Sequence, residues 1–171
     1  VNKAGRHLWP GNFTSRLNPS DGAWKFDQLK RQIELTREKV KHPGNVHFSF
    51  KAFSNNWADV TGSLIEGLYS KPALVPAFPW LDAKPPKAPH VSYKVEGDQW
   101  TVTWKPGDSE DHGVALVNYE TAQGWSETEI VGRTKDKASF WTMATGTPTR
   151  IAVRLADRNG NVSEPTVVPA G

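Results

Sequence analysis

The sequence predicts two regions of different fold class, a mixed α/β region over residues 1–82 and an all-β antiparallel sandwich over residues 87–171. A proline-rich stretch, residues 71–89, separates them. The residues before it alternate between strand-like and helix-like patterns, and those after it contain short strand-like runs at intervals of about ten residues. Such a change of pattern across a proline-rich segment is typical of a domain boundary.

The first region is predicted to run strand, helix, strand, helix. The predicted elements are a short strand at 6–10 (RHLWP), a helix from about Trp24 to Lys41, a strand at 45–53 (NVHFSFKAF), and a short helix within 54–70. Parallel strands joined by crossover helices are buried on both faces. We therefore expect Phe48 and Phe50 to be buried.

Two parallel strands are too few to form such a sheet, because long edges and an apolar face would stay uncovered. We expect this region to be the last quarter of a (β/α)8 barrel, with strands seven and eight and their helices, the rest of the barrel lying before Val1. Alternatively, two or more copies exchange these elements, and the chain then forms a homo-oligomer.

The second region contains seven strand-like runs. They are HVSYKVE (90–96), QWTVTWK (99–105), VALVNYE (114–120), WSETEIVG (125–132), ASFWTM (138–143), TRIAVRLAD (149–157) and NVSEPTVV (161–168). The predicted core side chains share one face of the second run (Trp100, Val102, Trp104) and one face of the sixth (Ile151, Val153, Leu155). Asn159-Gly160 predicts a hairpin turn. Two such faces packed together make a sandwich.

The connector between the regions carries prolines at positions 72, 76, 79, 85, 86 and 89. Proline fixes φ and lacks a backbone donor, which excludes a long helix and a central strand here. The apolar side chains of the first part predict that it lies against a surface, whereas residues 82–89 (DAKPPKAP) are expected to be a true linker.

Composition and charge argue against several classes of function. The chain has 21 basic and 18 acidic residues, scattered along its length, and no basic stripe that would bind nucleic acid. It has no cysteine, and no stretch of about twenty apolar residues that would span a membrane. No cofactor is predicted, because dinucleotide, Walker and nucleophile-elbow motifs are missing; the five dispersed histidines likewise predict no metal site.

The second region resembles a fibronectin type III domain. The resemblance rests on PPKAP, on the tryptophan in VTWKP and on RIAVRLADRNGNVSEP, and it covers residues 87–171. It resembles such domains appended to bacterial secreted enzymes, which implies a spacer, a docking surface or an occasional ligand binder. Trp125 or Trp141 could stack on a sugar ring, although an aromatic residue in a strand more often packs against a neighbour.

The first region also resembles a known family. LWPGNFTSRL, RQIELTREKVKHPGNVHFSFKAF and GLYSKPALVPAFPW, within residues 6–82, are similar to the C-terminal barrel portion of bacterial glycoside-hydrolase-like family 10 proteins, a group of lipoproteins. The resemblance implies carbohydrate hydrolysis, with a cell-surface or periplasmic polysaccharide bound by the parent barrel. It also implies a location in the bacterial cell envelope, either periplasmic or lipid-anchored.

Glycoside cleavage normally needs two carboxyl groups that flank the scissile bond, and in a barrel they lie at the carboxyl ends of strands. The segments after the two predicted strands, WPGNFTSR and KAFSNNW, contain neither Asp nor Glu. The nearest acids, Asp21, Asp27 and Asp59, fit solvated or helix-capping roles better. We therefore expect the catalytic pair upstream of Val1, and this chain alone to be inactive.

The same two segments could instead form part of a sugar-binding rim. The candidate substrate-binding residues are Asn12 and Arg16 after the first strand, and Lys51, Asn55 and Trp57 after the second. The alternatives are a tight turn at Asn12, a helix start at Asn55 and Asn56, and a core position for Trp57. His47, within the second strand, could be a ligand or a base.

Two hypotheses about function remain open. In one, the chain is the C-terminal fragment of a glycoside hydrolase. In the other, it is a non-catalytic carbohydrate-binding, protein-binding or adaptor module that dimerises through its α/β segment.

Overall fold

The computed structural model describes residues 5–107, 112–132, 136–141 and 146–170, without the side chains of Asp21, His112, Phe140 and Trp141. The side chain of Trp141, one of the two candidate stacking tryptophans, therefore lies outside the described residues, as does that of Asp21. The chain forms two compact units, residues 1–72 and 73–171. The division falls before most of the proline-rich connector, which belongs to the second unit.

The first unit follows the order strand, helix, strand, helix that the sequence predicts. Its elements are β1 (Gly11–Asn12), 3-10 turns at Thr14–Leu17 and Pro19–Asp21, α1 (Phe26–Lys39), β2 (Val46–His47), α2 (Lys51–Ser54), a 3-10 turn at Trp57–Asp59, and α3 (Val60–Glu66). The two strands pair in parallel, with Gly11 opposite Val46 and Asn12 opposite His47. Completion of this unit into a barrel remains a prediction.

Both strands are shorter than predicted, and the second ends early. The first pairs at residues 11–12 rather than 6–10, and the second stops at His47. The predicted burial of Phe48 and Phe50 is wrong, because these side chains are 61% and 76% exposed. Phe50 has helical dihedral angles (φ −56°, ψ −24°) and starts α2, which breaks the alternation of a strand.

The core of the first unit lies between α1 and α3. Leu29 and Ile33 are one helical turn apart on α1, and Val60 and Leu64 are one turn apart on α3. All four are buried and, with Leu17, form one apolar cluster. Phe53 and Trp57, in the chain that follows β2, pack against this cluster.

The second unit is a sandwich of two antiparallel sheets. Its strands are β3 (His90–Glu96), β4 (Gln99–Lys105), β5 (His112–Thr121), β6 (Gly124–Trp125), β7 (Glu129–Gly132), β8 (Lys137–Trp141), β9 (Arg150–Asp157) and β10 (Thr166–Pro169). One sheet has the order β3-β4-β8; the other has the order β10-β9-β5-β6, with β7 also paired to β5. Each predicted run contains a strand, although the run at 125–132 contains parts of two strands, β6 and β7.

The predicted sandwich core is confirmed. The two inner faces bury Trp100, Val102 and Trp104 from one sheet against Ile151, Val153 and Leu155 from the other. Strand alternation places Arg150, Ala152 and Arg154 of β9 on the outer face of the second sheet.

The connector is attached to the sandwich at several points within the second unit. The Phe78 N–H donates to the Asn159 carbonyl (2.7 Å), and the Asn161 side-chain amide donates to the Asp82 carbonyl (3.2 Å). Pro86 and Pro89 are buried. The expectation that residues 82–89 are a true linker is therefore wrong, because two of their proline rings are buried and the Asp82 carbonyl is hydrogen-bonded to Asn161.

Across the described residues, every helix is too short or too polar to cross a lipid bilayer.

Candidate functional site

The residues that follow β1 and β2, namely 13–16 and 48–57, form the candidate site, called here the carboxyl edge. Because the strands are parallel, their carboxyl ends meet on the same side of the unit. The Phe48 N–H donates to the Asn12 carbonyl and the Ser15 N–H donates to the Phe48 carbonyl, both at 2.9 Å. The Ser49 N–H donates to Ser15 Oγ (3.0 Å). These bonds hold the two segments side by side beyond the ends of the strands.

Exposed aromatic side chains cover part of the carboxyl edge. Phe13 and Phe48 contact each other, with ring centroids 5.7 Å apart, and the Phe50 ring stacks at 6.4 Å from that of Phe53. Phe13 is 47% exposed, and Phe48 and Phe50 are more exposed still. The edge therefore presents an apolar aromatic surface that the described residues leave open.

Two of the five predicted substrate-binding residues come together on this edge. The Lys51 ammonium lies over the Trp57 ring, 5.9 Å from its centroid. Lys51 is exposed, whereas Trp57 is half-buried and packs partly against the apolar cluster of the unit. Trp57 thus combines the core position that was the alternative interpretation with a partly accessible ring.

The other three predicted residues lie apart from that pair. Asn12 is only 3% exposed and donates through Nδ2 to Gln32 Oε1 on α1 (3.1 Å), so its amide faces the helix. Arg16 lies over the Trp24 ring at 6.0 Å. Asn55 is exposed and caps the end of α2. Their contact with a ligand remains a prediction, and for Asn12 it would require rearrangement of the side chain.

The segment between α2 and α3 has an unusual backbone. Asn56, Ala58 and Asp59 all have positive φ, of 46°, 52° and 52°. Asn56 is stabilised there because its Oδ1 accepts from the Thr61 N–H (3.0 Å) and its Nδ2 donates to Asp59 Oδ1 (2.9 Å). Non-glycine residues in this region are strained and often occur at ligand-binding loops.

Asp59 is exposed and lies at the predicted capping position, but its side chain does not cap the helix. It stands at the N-cap position of α3, but its carboxylate makes no hydrogen bond to the helix N–H groups. The capping acceptor is instead Asn56, which bonds to Thr61. Asp27, in contrast, lies in the first turn of α1 as predicted, where its negative charge interacts favourably with the positive end of the helix dipole.

His47 lies in a hydrogen-bonded chain that sequence reasoning missed. Its Nδ1 is 2.9 Å from Thr14 Oγ1 and its Nε2 is 2.9 Å from the Tyr69 hydroxyl. Thr14 Oγ1 also donates to the Asn12 carbonyl (3.2 Å). These contacts favour one tautomer, in which Tyr69 donates to Nε2 and the Nδ1–H donates to Thr14.

The surroundings keep both rings neutral. Burial lowers the pKa of His47, because the imidazolium would be desolvated. Burial raises the pKa of the Tyr69 hydroxyl, and the positive charge of Arg37 opposes that shift only in part. The Arg37 guanidinium lies over the Tyr69 ring at 5.7 Å and donates to the Leu68 carbonyl (2.6 Å).

The contacts of His47 favour a structural role over a catalytic one, because both of its ring nitrogens have partners within the protein. Arg37 is in the last turn of α1 and Tyr69 follows the end of α3. The His47 ring also packs edge-on against Phe53, with ring centroids 5.2 Å apart. His47 therefore ties the end of β2 to Tyr69, after α3, and to the segments that follow both strands. In the sequence, His47 is a polar residue between apolar neighbours, and no local pattern indicates that Thr14 and Tyr69 are its partners.

No group of three or more metal-ligating side chains occurs in the described parts of the chain. The arrangement at the carboxyl edge can instead provide stacking faces, two cations and hydroxyl groups. Those are the groups that bind a polar, ring-shaped ligand.

Comparison with known proteins finds a relative that is a glycosyl hydrolase. No family model matches the chain. The glycosyl hydrolase YngK of Bacillus subtilis (strain 168) is 39% identical over 142 residues, which cover 78% of this chain and 28% of the relative. This chain thus spans little more than a quarter of that protein.

Two solved structures that match the chain are distant likenesses. The spore cortex lytic enzyme SleM of Clostridium perfringens has a TM-score of 0.40 at 15% identity, covering 95% of this chain and 67% of its own. An FN3 domain of human collagen XX has a TM-score of 0.39 at 16% identity, covering 57% and 99%. Likenesses of this size bear on neither function nor mechanism. The sequence identity to the Bacillus protein, however, shows that this chain is homologous to part of a glycosyl hydrolase.

Proposed function

We propose that this chain is the C-terminal part of a glycoside hydrolase in which its carboxyl edge forms one side of the saccharide-binding cleft. The first unit then supplies the last two strand–helix units of a (β/α)8 barrel. The parent protein acts on a polysaccharide of the bacterial cell envelope, in the periplasm or as a lipid-anchored protein. The 39% identity to a glycosyl hydrolase is the observation that carries this proposal.

The geometry of the carboxyl edge supports the binding role. An aromatic ring partly open to solvent, with a cation above it, suits the apolar face and the hydroxyl groups of a sugar. Lys51 over Trp57 provides that pair, and the Ser15 and Ser49 hydroxyl groups, 3.3 Å apart, provide further donors and acceptors. The carboxyl pair needed for hydrolysis would come from other parts of the parent protein.

Binding at this edge can be tested on the 171-residue chain by NMR titration with cellotetraose, maltotetraose and chitotetraose. We expect weak binding of at least one of them, with shifts at the indole N–H of Trp57, and loss of those shifts in Lys51→Ala. The variant Trp57→Phe should retain part of the binding. The proposal is wrong if all three sugars leave the carboxyl edge unperturbed, or if Lys51→Ala binds as tightly as the wild type.

The exposed aromatic rings favour one alternative, a binding or adaptor module that dimerises through the first unit. Phe48 and Phe50 would then be covered by a second copy. Light scattering separates the two functions: a stable dimer that Phe50→Ser converts to a monomer supports the adaptor. A monomer at every concentration excludes it.

A further inference from the structure

A second candidate binding surface lies on the sandwich, on the outer face of the sheet β10-β9-β5-β6. It is a groove of about 390 Å³ lined by Asn118, Trp125, Ala152, Arg154, Pro165 and Val167. Strand pairing explains its shape. Asn118, Ala152 and Val167 lie opposite one another on β5, β9 and β10. The small side chain of Ala152, in the middle of this row, leaves a depression between larger neighbours.

The indole of Trp125 forms one wall of the groove, and a residue that does not line the groove, Arg150, packs on it. Trp125 is 45% exposed, and the Arg150 guanidinium lies over its ring, 5.4 Å from the centroid. Arg150 is itself held by Glu120, through Nη2 to Oε1 at 2.8 Å and through Nε to Oε2. Arg150 does not line the groove. The groove therefore meets a part of the indole that the guanidinium leaves uncovered.

Arg154 brings a positive charge to the opposite wall. Its Nη2 donates to Asn118 Oδ1 (3.0 Å), and the Asn118 Nδ2 donates in turn to the Ser126 carbonyl (3.1 Å) and to Thr128 Oγ1 (3.0 Å). The Asn118 amide is thus fixed and orients the guanidinium. None of the carboxylates in the described residues forms an ion pair with Arg154, unlike Arg150. The remaining N–H groups can receive a ligand carboxylate in bidentate fashion.

The strand pairing also restricts the type of ligand. A peptide that adds to a sheet binds a free strand edge through main-chain hydrogen bonds. This groove crosses the face of the sheet, over β5 and β9, whose backbone groups are paired with each other over residues 112–120 and 150–157. Recognition must come from side chains, namely an open indole, an apolar floor and one oriented cation. A flat ring with one apolar face and a carboxylate matches all three.

We propose that this groove binds an acidic saccharide, with a pyranose ring against Trp125 and its carboxylate on Arg154. The proposal depends on the sandwich alone and does not require the function proposed for the carboxyl edge. It gives the second unit a binding role of its own, beyond that of a spacer.

The test is calorimetric titration of the full 171-residue chain carrying Lys51→Ala, which removes sugar binding at the carboxyl edge, with two tetrasaccharides, tetragalacturonate and the neutral maltotetraose. We expect the acidic sugar to bind at least tenfold more tightly than the neutral one, and its affinity to fall as salt rises. Trp125→Ala should weaken binding of tetragalacturonate by about tenfold, because the apolar face on which the sugar ring packs is lost. Arg154→Gln should reduce the preference for the acid to within about twofold.

Two further variants act as controls. Ala152→Leu fills the middle of the groove without removing any of the recognising groups, and it should abolish binding. Lys94→Gln removes an exposed cation from β3, in the other sheet, and should change nothing. Circular dichroism and thermal unfolding of each variant separate a loss of binding from a loss of fold.

Several outcomes overturn the proposal. They are no binding of tetragalacturonate at millimolar concentration, equal binding of the neutral sugar, and unchanged affinity in Trp125→Ala or Ala152→Leu. Tight binding of a polyglutamate peptide in place of the sugar also overturns it, because the groove would then recognise charge alone. Failure of the carboxyl edge to bind sugar leaves these measurements unaffected, since variants of Trp57 and of Trp125 report on different units.

Discussion

Gly160 makes a closer contact with the connector than any side chain allows. It has φ of +79°, and a Cβ built on it would lie 2.5 Å from the Val75 carbonyl oxygen and 2.8 Å from the Ala77 nitrogen. Gly160→Ala should therefore both strain the turn and push the connector off it. Gly97 provides the matched control, because it has φ of +60° but nothing within 4 Å of its Cβ position.

The two substitutions separate the destabilisation caused by an alanine at positive φ from that caused by the clash with the connector. An alanine at positive φ costs about 1–2 kcal/mol, and a less flexible unfolded chain offsets about 0.4–1 kcal/mol of this. Gly97→Ala should thus lower the free energy of unfolding by roughly 1 kcal/mol. Gly160→Ala should also weaken two hydrogen bonds that hold the connector, from the Phe78 N–H to the Asn159 carbonyl and from the Asn161 amide to the Asp82 carbonyl. At about 0.5–1.5 kcal/mol each, this gives a total loss of roughly 2–4 kcal/mol.

Urea unfolding of the full chain at 25 °C, followed by tryptophan fluorescence and circular dichroism, measures both variants. The quantity of interest is the difference between them, which should be about 1–3 kcal/mol, with Gly160→Ala the less stable. Equal destabilisation by both substitutions would refute the reasoning, because it would mean that the connector is not held at the turn.

Three other substitutions test the fold and the site. Burial lowers the pKa of His47, so the stabilisation by neutral His47 is complete above the unfolded pKa of about 6.5 and is lost as pH falls through the folded pKa. His47→Gln should therefore flatten the fall of the urea midpoint with decreasing pH, and an unchanged dependence of the midpoint on pH would contradict this. Leu155→Ala, in the sandwich core, should cost about 2–5 kcal/mol in urea unfolding, and a loss below about 1 kcal/mol would place this side chain outside the core. Asn56→Ala loses the bond to Thr61 and should cost about 1–2 kcal/mol, whereas Asn56→Gly, which tolerates the positive φ, should cost less; the reverse order would argue against a left-handed Asn56.

The sandwich was predictable from sequence because its information is local. Alternation of apolar and polar residues assigns Trp100, Val102 and Trp104 to one face whatever the partner strand is, and Asn-Gly marks a turn by its own backbone preference. The same period of two places Arg154 on the outer face. The first unit was harder, since its strands have only two residues each and the pattern of Phe48 and Phe50 looked like a longer strand.

The residues of the two candidate sites were predictable only in part. Lys51 and Trp57 were named from their place after a strand, and the structure brings them together. The groove on the sandwich was not predicted as a groove. Trp125 stood out as an aromatic residue, but Arg154, 29 positions along the chain, had no local feature that linked it to the indole. Their proximity arises from the register of β5, β6 and β9.

By itself, the amino-acid sequence determined the two fold classes, the order of elements, the core of the sandwich and the resemblance to a glycoside hydrolase. These depend on periodicity, on glycine and proline chemistry and on motifs, all of which act over a few neighbouring residues. Only the tertiary structure decided that residues 82–89 pack as part of the sandwich, that Phe48 and Phe50 are exposed, and that His47 bonds to Thr14 and Tyr69. The physical reason is that such contacts join residues far apart in the chain, where strand register and helix packing, rather than local preference, set the distances.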